Sequence, residues 1–142
     1  MAQPPLLLEE SFFDVVSVEA APEYVPDAEG RQGRHGVELQ LGLATLDDDP
    51  GVWRVSLDIA HKQVDDVTPR YRFRLRVVGF FRYVADEESV PIVAQIVATN
   101  GASILYSSAR EYLLMLTGRA PWGQLSLPTM SFADVAALAA NE

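Results

Sequence analysis

The chain has 142 residues, 49% of them hydrophobic and 22% charged, and a formal charge of −9 from 20 acidic against 11 basic residues. That length and balance suit one globular domain, residues 1–142, and exclude a disordered chain. The acidic field makes nucleic acid and anionic lipid poor partners. No apolar run approaches the ~20 residues of a spanning helix, so no membrane insertion is expected. Cysteine is absent, which removes disulfides, thiolate chemistry and cysteine-based zinc sites. The first ten residues lack a basic n-region and a cleavage site, so the expected location is the cytoplasm.

Residues 1–11 are expected to form a loose arm. Phe12 to Ala20 is rich in β-branched and aromatic residues and predicts a strand. Pro22, Pro26, Gly30, Gly33 and Gly36 then mark a long connection over 21–36. Val37, Leu39, Leu41 and Leu43 share one face of a second strand, and Asp47 to Gly51 forms an acidic turn. Trp53, Val55, Leu57 and Ile59 alternate in a third strand. Tyr71, Phe73, Leu75 and Val77 alternate with Arg72, Arg74 and Arg76 in a fourth. This pattern predicts an antiparallel sheet with one apolar and one wet face, and Gly79 is expected to mark a bulge or bend.

Pro91 suits the first turn of a helix, and Asn100-Gly101 is expected to interrupt or kink it. A helical run over 102–117 stops at Gly118, with Leu105, Ala109, Tyr112 and Leu116 as its stripe. Leu113, Leu114 and Met115 lie outside that stripe and are the expected oligomer interface. Residues 120–130 should be extended. Ser131 to Asp134 resembles a capping box opening a short helix that carries Phe132, Val135 and Leu138. Strands followed by helices give an α+β fold, four antiparallel strands with two helices on the apolar face.

Several segments resemble the SecB family of protein-export chaperones. Ile104 to Glu111 (ILYSSARE) is similar to the family's ILFPYARE. Gly118 to Pro128 is similar to its RG-x-FPPLxLxP segment, and Met130 to Val135 to VNFDAL. Val16 to Glu19 resembles ISFE of the first strand, and Val78 to Phe81 resembles GGIF of the fourth. The resemblance implies a chaperone without catalytic residues, metal or cofactor. It implies a tetramer built as a dimer of dimers, which binds unfolded polypeptides and keeps preproteins competent for translocation by the SecA motor. In that family an acidic outer sheet face docks the motor. Here Glu19 keeps one acid, but Arg74 stands at the fourth strand's acidic position, between Arg72 and Arg76. A sign reversal at a docking face weakens docking. A SecB-like chaperone serving a dedicated client outside export, such as an antitoxin or a phage protein, fits the same residues.

Client capture needs contiguous apolar surface of adaptable shape. The expected groove lies between the sheet edge, the 21–36 connection and the 120–130 segment, with Tyr24, Phe80, Trp122, Leu125, Leu127 and Met130 as client-binding candidates. Each has a plainer role as a core or loop residue, and the arginine row reads most simply as a solvated strand face. His35 and His61 with Asp47, Asp48 and Asp49 lack the spacing of a metal site. Ser107-Ser108 lacks the strand–turn–helix setting of a nucleophile, and no phosphate-binding glycine loop exists. A small-molecule-binding α+β module is the remaining alternative.

Overall fold

The computed structural model describes residues 6–26, 36–64, 67–84 and 90–132. Four strands, β1 (Leu6–Ala20), β2 (Gly36–Thr45), β3 (Val52–Lys62) and β4 (Tyr71–Tyr83), precede one helix, α1 (Val90–Thr117). The sheet is antiparallel throughout, in the order β1-β4-β3-β2. Strands β2, β3 and β4 form a meander. The connection after β1 crosses to the far edge, leaving β1 and β2 as the two edges. The fold is therefore α+β, with a four-stranded antiparallel sheet and, among the described residues, one helix. The second helix expected from Ser131 falls almost wholly outside the described residues.

The alternation read from the sequence builds the core directly. Val55, Leu57 and Ile59 of β3 and Tyr71, Phe73, Leu75, Val77 and Phe81 of β4 are all buried beneath α1. The helix returns Ala98, Ala102, Leu105, Ala109 and Leu113, an i, i+3/i+4 stripe that lies on one side of a 3.6-residue helix, with Val97 buried beside it.

Three expectations need correction. Residues 6–11 of the expected arm belong to β1, where Leu6 pairs with Tyr83 and Leu8 with Phe81, and residues 1–5 lie outside the described residues. Asn100-Gly101 does not interrupt the helix, which runs unbroken for 28 residues. Asn100 instead donates its side-chain amide to the Ile96 carbonyl one turn earlier, at 3.0 Å. Gly79 is neither bulge nor bend, because β4 runs through it in register with Ser11 and Val55. Its role is close approach. A Cβ there would lie 2.7 Å from the Phe81 ring and 2.9 Å from Leu105. A Cβ on Gly101 would meet Val55 at 3.1 Å and the same Phe81 ring at 3.4 Å. The two glycines thus let the helix and sheet close around Phe81.

The bulges lie on β1. Its register shifts between Leu8 and Glu10 and again between Phe13 and Val15, making Glu9 and Asp14 the supernumerary residues. Both are acidic, and both reach an arginine of β4, Glu9 pairing with Arg82 and Asp14 with Arg76 at 3.5 Å.

Candidate functional site: an aromatic pair at one end of the sheet

Helix α1 ends at Thr117, and the chain folds back over the start of β4. Ala120 donates its N–H to the Thr117 carbonyl, and Gly123, at φ 82°, donates to the Ala120 carbonyl. This turn is gripped from the sheet. Arg70 donates from Nη1 to the carbonyls of Trp122 (3.1 Å) and Gln124 (3.3 Å). The hydroxyl of fully buried Tyr71 accepts the Trp122 N–H at 3.0 Å and donates to the Gly123 carbonyl at 2.7 Å. Trp122 Nε1 donates to the Ala21 carbonyl at 2.9 Å. Tyr24 stands edge-on to the Trp122 ring, with centroids 5.3 Å apart and planes at 62°. Both rings are half-buried. Two client candidates separated by nearly a hundred residues therefore form one aromatic platform.

Beyond the turn the chain runs back along α1. Thr117 Oγ1 accepts the Leu125 N–H at 2.9 Å, Arg110 Nε contacts Ser126 Oγ at 3.2 Å, and the Tyr106 hydroxyl donates to the Pro128 carbonyl. Burial raises the Tyr106 phenol to about 12, so it remains a donor at physiological pH. This extended segment alternates. Leu125 and Leu127 are exposed by only 1% and 2%, while Gln124, Ser126 and Pro128 face solvent. Leu125 and Leu127 therefore close the core rather than line a groove. Met130 is half-buried, carried along the helix away from Trp122. Phe80 is on the sheet face opposite α1, its ring 6.2 Å from that of Phe12. The six candidates do not form one groove. Tyr24 and Trp122 come together, and the others are elsewhere.

A second apolar surface lies between β1 and α1. Phe13 and Tyr112 meet edge-on at 4.6 Å. With Val16, Ser108, Glu111 and Met115 they line an open groove of about 570 Å³. Met115 is 67% exposed, and Leu8, Val16 and Ile104 are exposed nearby in sequence on the same two elements. Leu114 is half-buried, but Leu113 is wholly buried in the chain's own core and is not available to a partner.

The outer face of the sheet is charge-paired. Arg74 grips both carboxylate oxygens of Asp58, at 3.1 and 2.7 Å. Arg72 pairs with Glu23 and stands opposite Glu19 across β1 and β4. Arg82 holds Asp49 at 2.7 Å as well as Glu9. The arginine row is thus matched by acids of the same fold.

The hydrogen bond from Arg72 holds the Glu23 carboxyl below its ordinary value of 4.5, and that from Arg82 holds Asp49 below 3.8. A depressed carboxyl stabilises the fold above its unfolded pKa and loses that contribution as pH falls through the folded value. Stability is therefore expected to decline with acidification from about pH 4 downward. Carboxyl-carbon NMR should show Glu23 titrating at lower pH than an ordinary glutamate, and Arg72→Gln should return it to the ordinary range. An unaltered Glu23 titration in that variant would remove the pairing as the cause.

His61 is tied to the neighbouring strand through one ring nitrogen. Its Nδ1 accepts the Phe73 N–H at 3.1 Å at the open end of the β3–β4 ladder. No cluster of three or more His, Asp or Glu able to hold a metal occurs among the described residues. His35 lies outside them. No helix among them is long and apolar enough to cross a membrane.

The residues sequence reasoning missed are Arg70 and Tyr71. Tyr71 scored as a core position by alternation, and nothing in the periodicity signalled that its hydroxyl would seat a turn fifty residues later. The pairing acids Glu9 and Asp14 were hidden by the bulges that create them.

No family model matches the sequence, and no curated protein matches it. Solved structures do. The chain superposes on the SecB-like chaperone Rv1957 of Mycobacterium tuberculosis, in complex with a ChAD peptide from the HigA1 antitoxin, with a TM-score of 0.68 and 18% identity. The match covers 89% of this chain and 91% of that one. A protein of unknown function from Streptococcus agalactiae superposes with a TM-score of 0.52 at 16% identity, over 90% of this chain and all of that one.

Proposed function

We propose that this chain, whose fold is SecB-like, is a cytoplasmic, non-enzymatic chaperone for nonnative polypeptide, dedicated to a client outside general export. The observation that carries the reading is the Tyr24–Trp122 platform, a half-buried aromatic pair whose tryptophan is held on a hydrogen-bonded turn. Aromatic faces supply large contact area with little rotamer entropy, which suits sequence-tolerant capture of extended chains. The open edge of β2 would add main-chain hydrogen bonds to an extended client. An antitoxin-type client is favoured over export for two reasons. The similar mycobacterial chaperone holds an antitoxin peptide. The outer face here also presents Arg72, Arg74 and Arg76, each paired with an acid of the same fold, where the resemblance to export chaperones calls for an acidic face that docks a motor such as SecA.

Self-association fits the β1–α1 groove, where Phe13, Val16, Tyr112 and Met115 leave apolar area uncovered beside an edge strand. Covering such area contributes about 25 cal/mol per Å² before ordering costs. A dimer through this groove, and a tetramer from two dimers, is the assembly we expect.

The test is binding of reduced, carboxymethylated α-lactalbumin, followed by native mass spectrometry and by fluorescence anisotropy of the labelled client. The chain should take up the unfolded form and ignore the native one. The double variant Tyr24→Ala, Trp122→Ala should weaken binding at least tenfold, the scale of truncating central aromatic anchors. Equal binding by the double variant would move the client elsewhere, and no uptake by the wild type would end the chaperone reading.

A further inference from the structure

The Ala21 carbonyl receives two donors. One is the Tyr24 N–H at 3.2 Å, which closes the turn leaving β1. The other is Trp122 Nε1 at 2.9 Å. The same residue's N–H is tied to the Arg70 carbonyl at 2.9 Å. The residue that carries the indole is fixed from below, because the Trp122 backbone N–H donates to the Tyr71 hydroxyl and its backbone carbonyl accepts from Arg70. A turn after the helix and a turn after β1 are thus joined through one side-chain nitrogen, beside Tyr24. The exposed Arg72–Glu23 pair also ties this stretch to the sheet, and salt weakens it.

We infer that Trp122 is a latch: its indole N–H fastens residues 21–24 to the post-helix turn and so holds Tyr24 in place as half of the platform, with Arg70 and Tyr71 as positioning residues that aim the indole. This inference rests on the client-platform reading for its consequence, though the fastening itself is independent of any client. A tryptophan at this position supplies both a stacking face and a donor. The ring face is sequence-tolerant contact area, and the donor sets the angle at which Tyr24 meets it. Separating the two roles requires a residue that keeps the ring and lacks the nitrogen.

Trp122→Phe does so. Amide exchange of the full chain, read by mass spectrometry on peptides covering 21–26, should accelerate about tenfold, the factor for one lost hydrogen bond near 1.4 kcal/mol. Exchange in β3 should not change. Binding of carboxymethylated α-lactalbumin should weaken by a similar factor. Tyr71→Phe, which keeps its core ring and loses the hydroxyl that seats Trp122, should produce the same local acceleration, and serves if Trp122→Phe fails to fold. In a Trp53→Phe background Trp122 is the sole tryptophan, and Tyr71→Phe should shift its emission. Unaltered exchange over 21–26 in both variants would overturn the latch. Faster local exchange with undiminished client binding would overturn its positioning role. A wild type that binds no client, with the local acceleration still present, would sink the chaperone reading and leave the fastening standing.

Discussion

Replacing Gly79 by valine is expected to destabilise the fold by about 3 kcal/mol, at the upper end of overpacking costs. The space for a side chain is already taken, since a first carbon would stand 2.7 Å from the Phe81 ring and 2.9 Å from Leu105 Cδ2. Phe81 and Leu105 are themselves almost fully buried, so neither can give way without displacing further core. Urea unfolding should show a lower midpoint with an unchanged slope. A double-mutant cycle sharpens the test. Leu105→Ala alone opens a cavity and destabilises, yet combined with Gly79→Val it should recover part of the loss, because it removes one of the two clashes. Strict additivity of the two changes would mean that the helix does not approach the sheet as closely as described.

The second large effect separates two neighbours on α1. Leu113→Ala should cost about 3 kcal/mol, in the range for truncating a fully buried leucine. Its side chain has no exposure at all, and Thr117 one turn later donates its hydroxyl to the Leu113 carbonyl at 2.7 Å. Met115→Glu should change protomer stability by less than about 0.5 kcal/mol, as an exposed site allows. It should instead lower the assembled mass in sedimentation, by placing a charge beside Glu111 in the β1–α1 groove. A Met115→Glu protein that unfolds early but assembles normally would reverse the assignment.

These two residues show what the sequence could and could not yield. Alternation in β3 and β4 was legible because each strand keeps strict period 2 and one apolar face. The helix ended where Gly118 suggested. Neighbours two apart on a helix can still have opposite fates. The apolar excess of Leu113, Leu114 and Met115 announced that something would be covered, but the rotation of α1 on the sheet decides which. That rotation is set by tertiary fit around Gly79 and Gly101, which looked like breakers in one dimension. Of the site, the aromatic candidates Tyr24 and Trp122 were legible as rings on loops, and the structure leaves both half-buried. Leu125 and Leu127 misled because an extended apolar segment reads alike whether it covers a core or opens a groove. Arg70 and Tyr71 were invisible because long-range seating of a turn leaves no local pattern.

The two bulges of β1 also bear on how chains of this fold should be aligned. Leu6 and Leu8 face α1, then Ser11 and Phe13, then Val16, Val18 and Ala20, so the inward set moves from even to odd and back. Glu9 and Asp14 are the steps that make each change. A related chain could lack either residue and keep every remaining side chain on its proper face, whereas losing any other residue of the strand would turn part of it inside out. Single-residue gaps at these two points are therefore the length differences this strand can absorb, and each would remove one arginine's acidic partner along with the bulge.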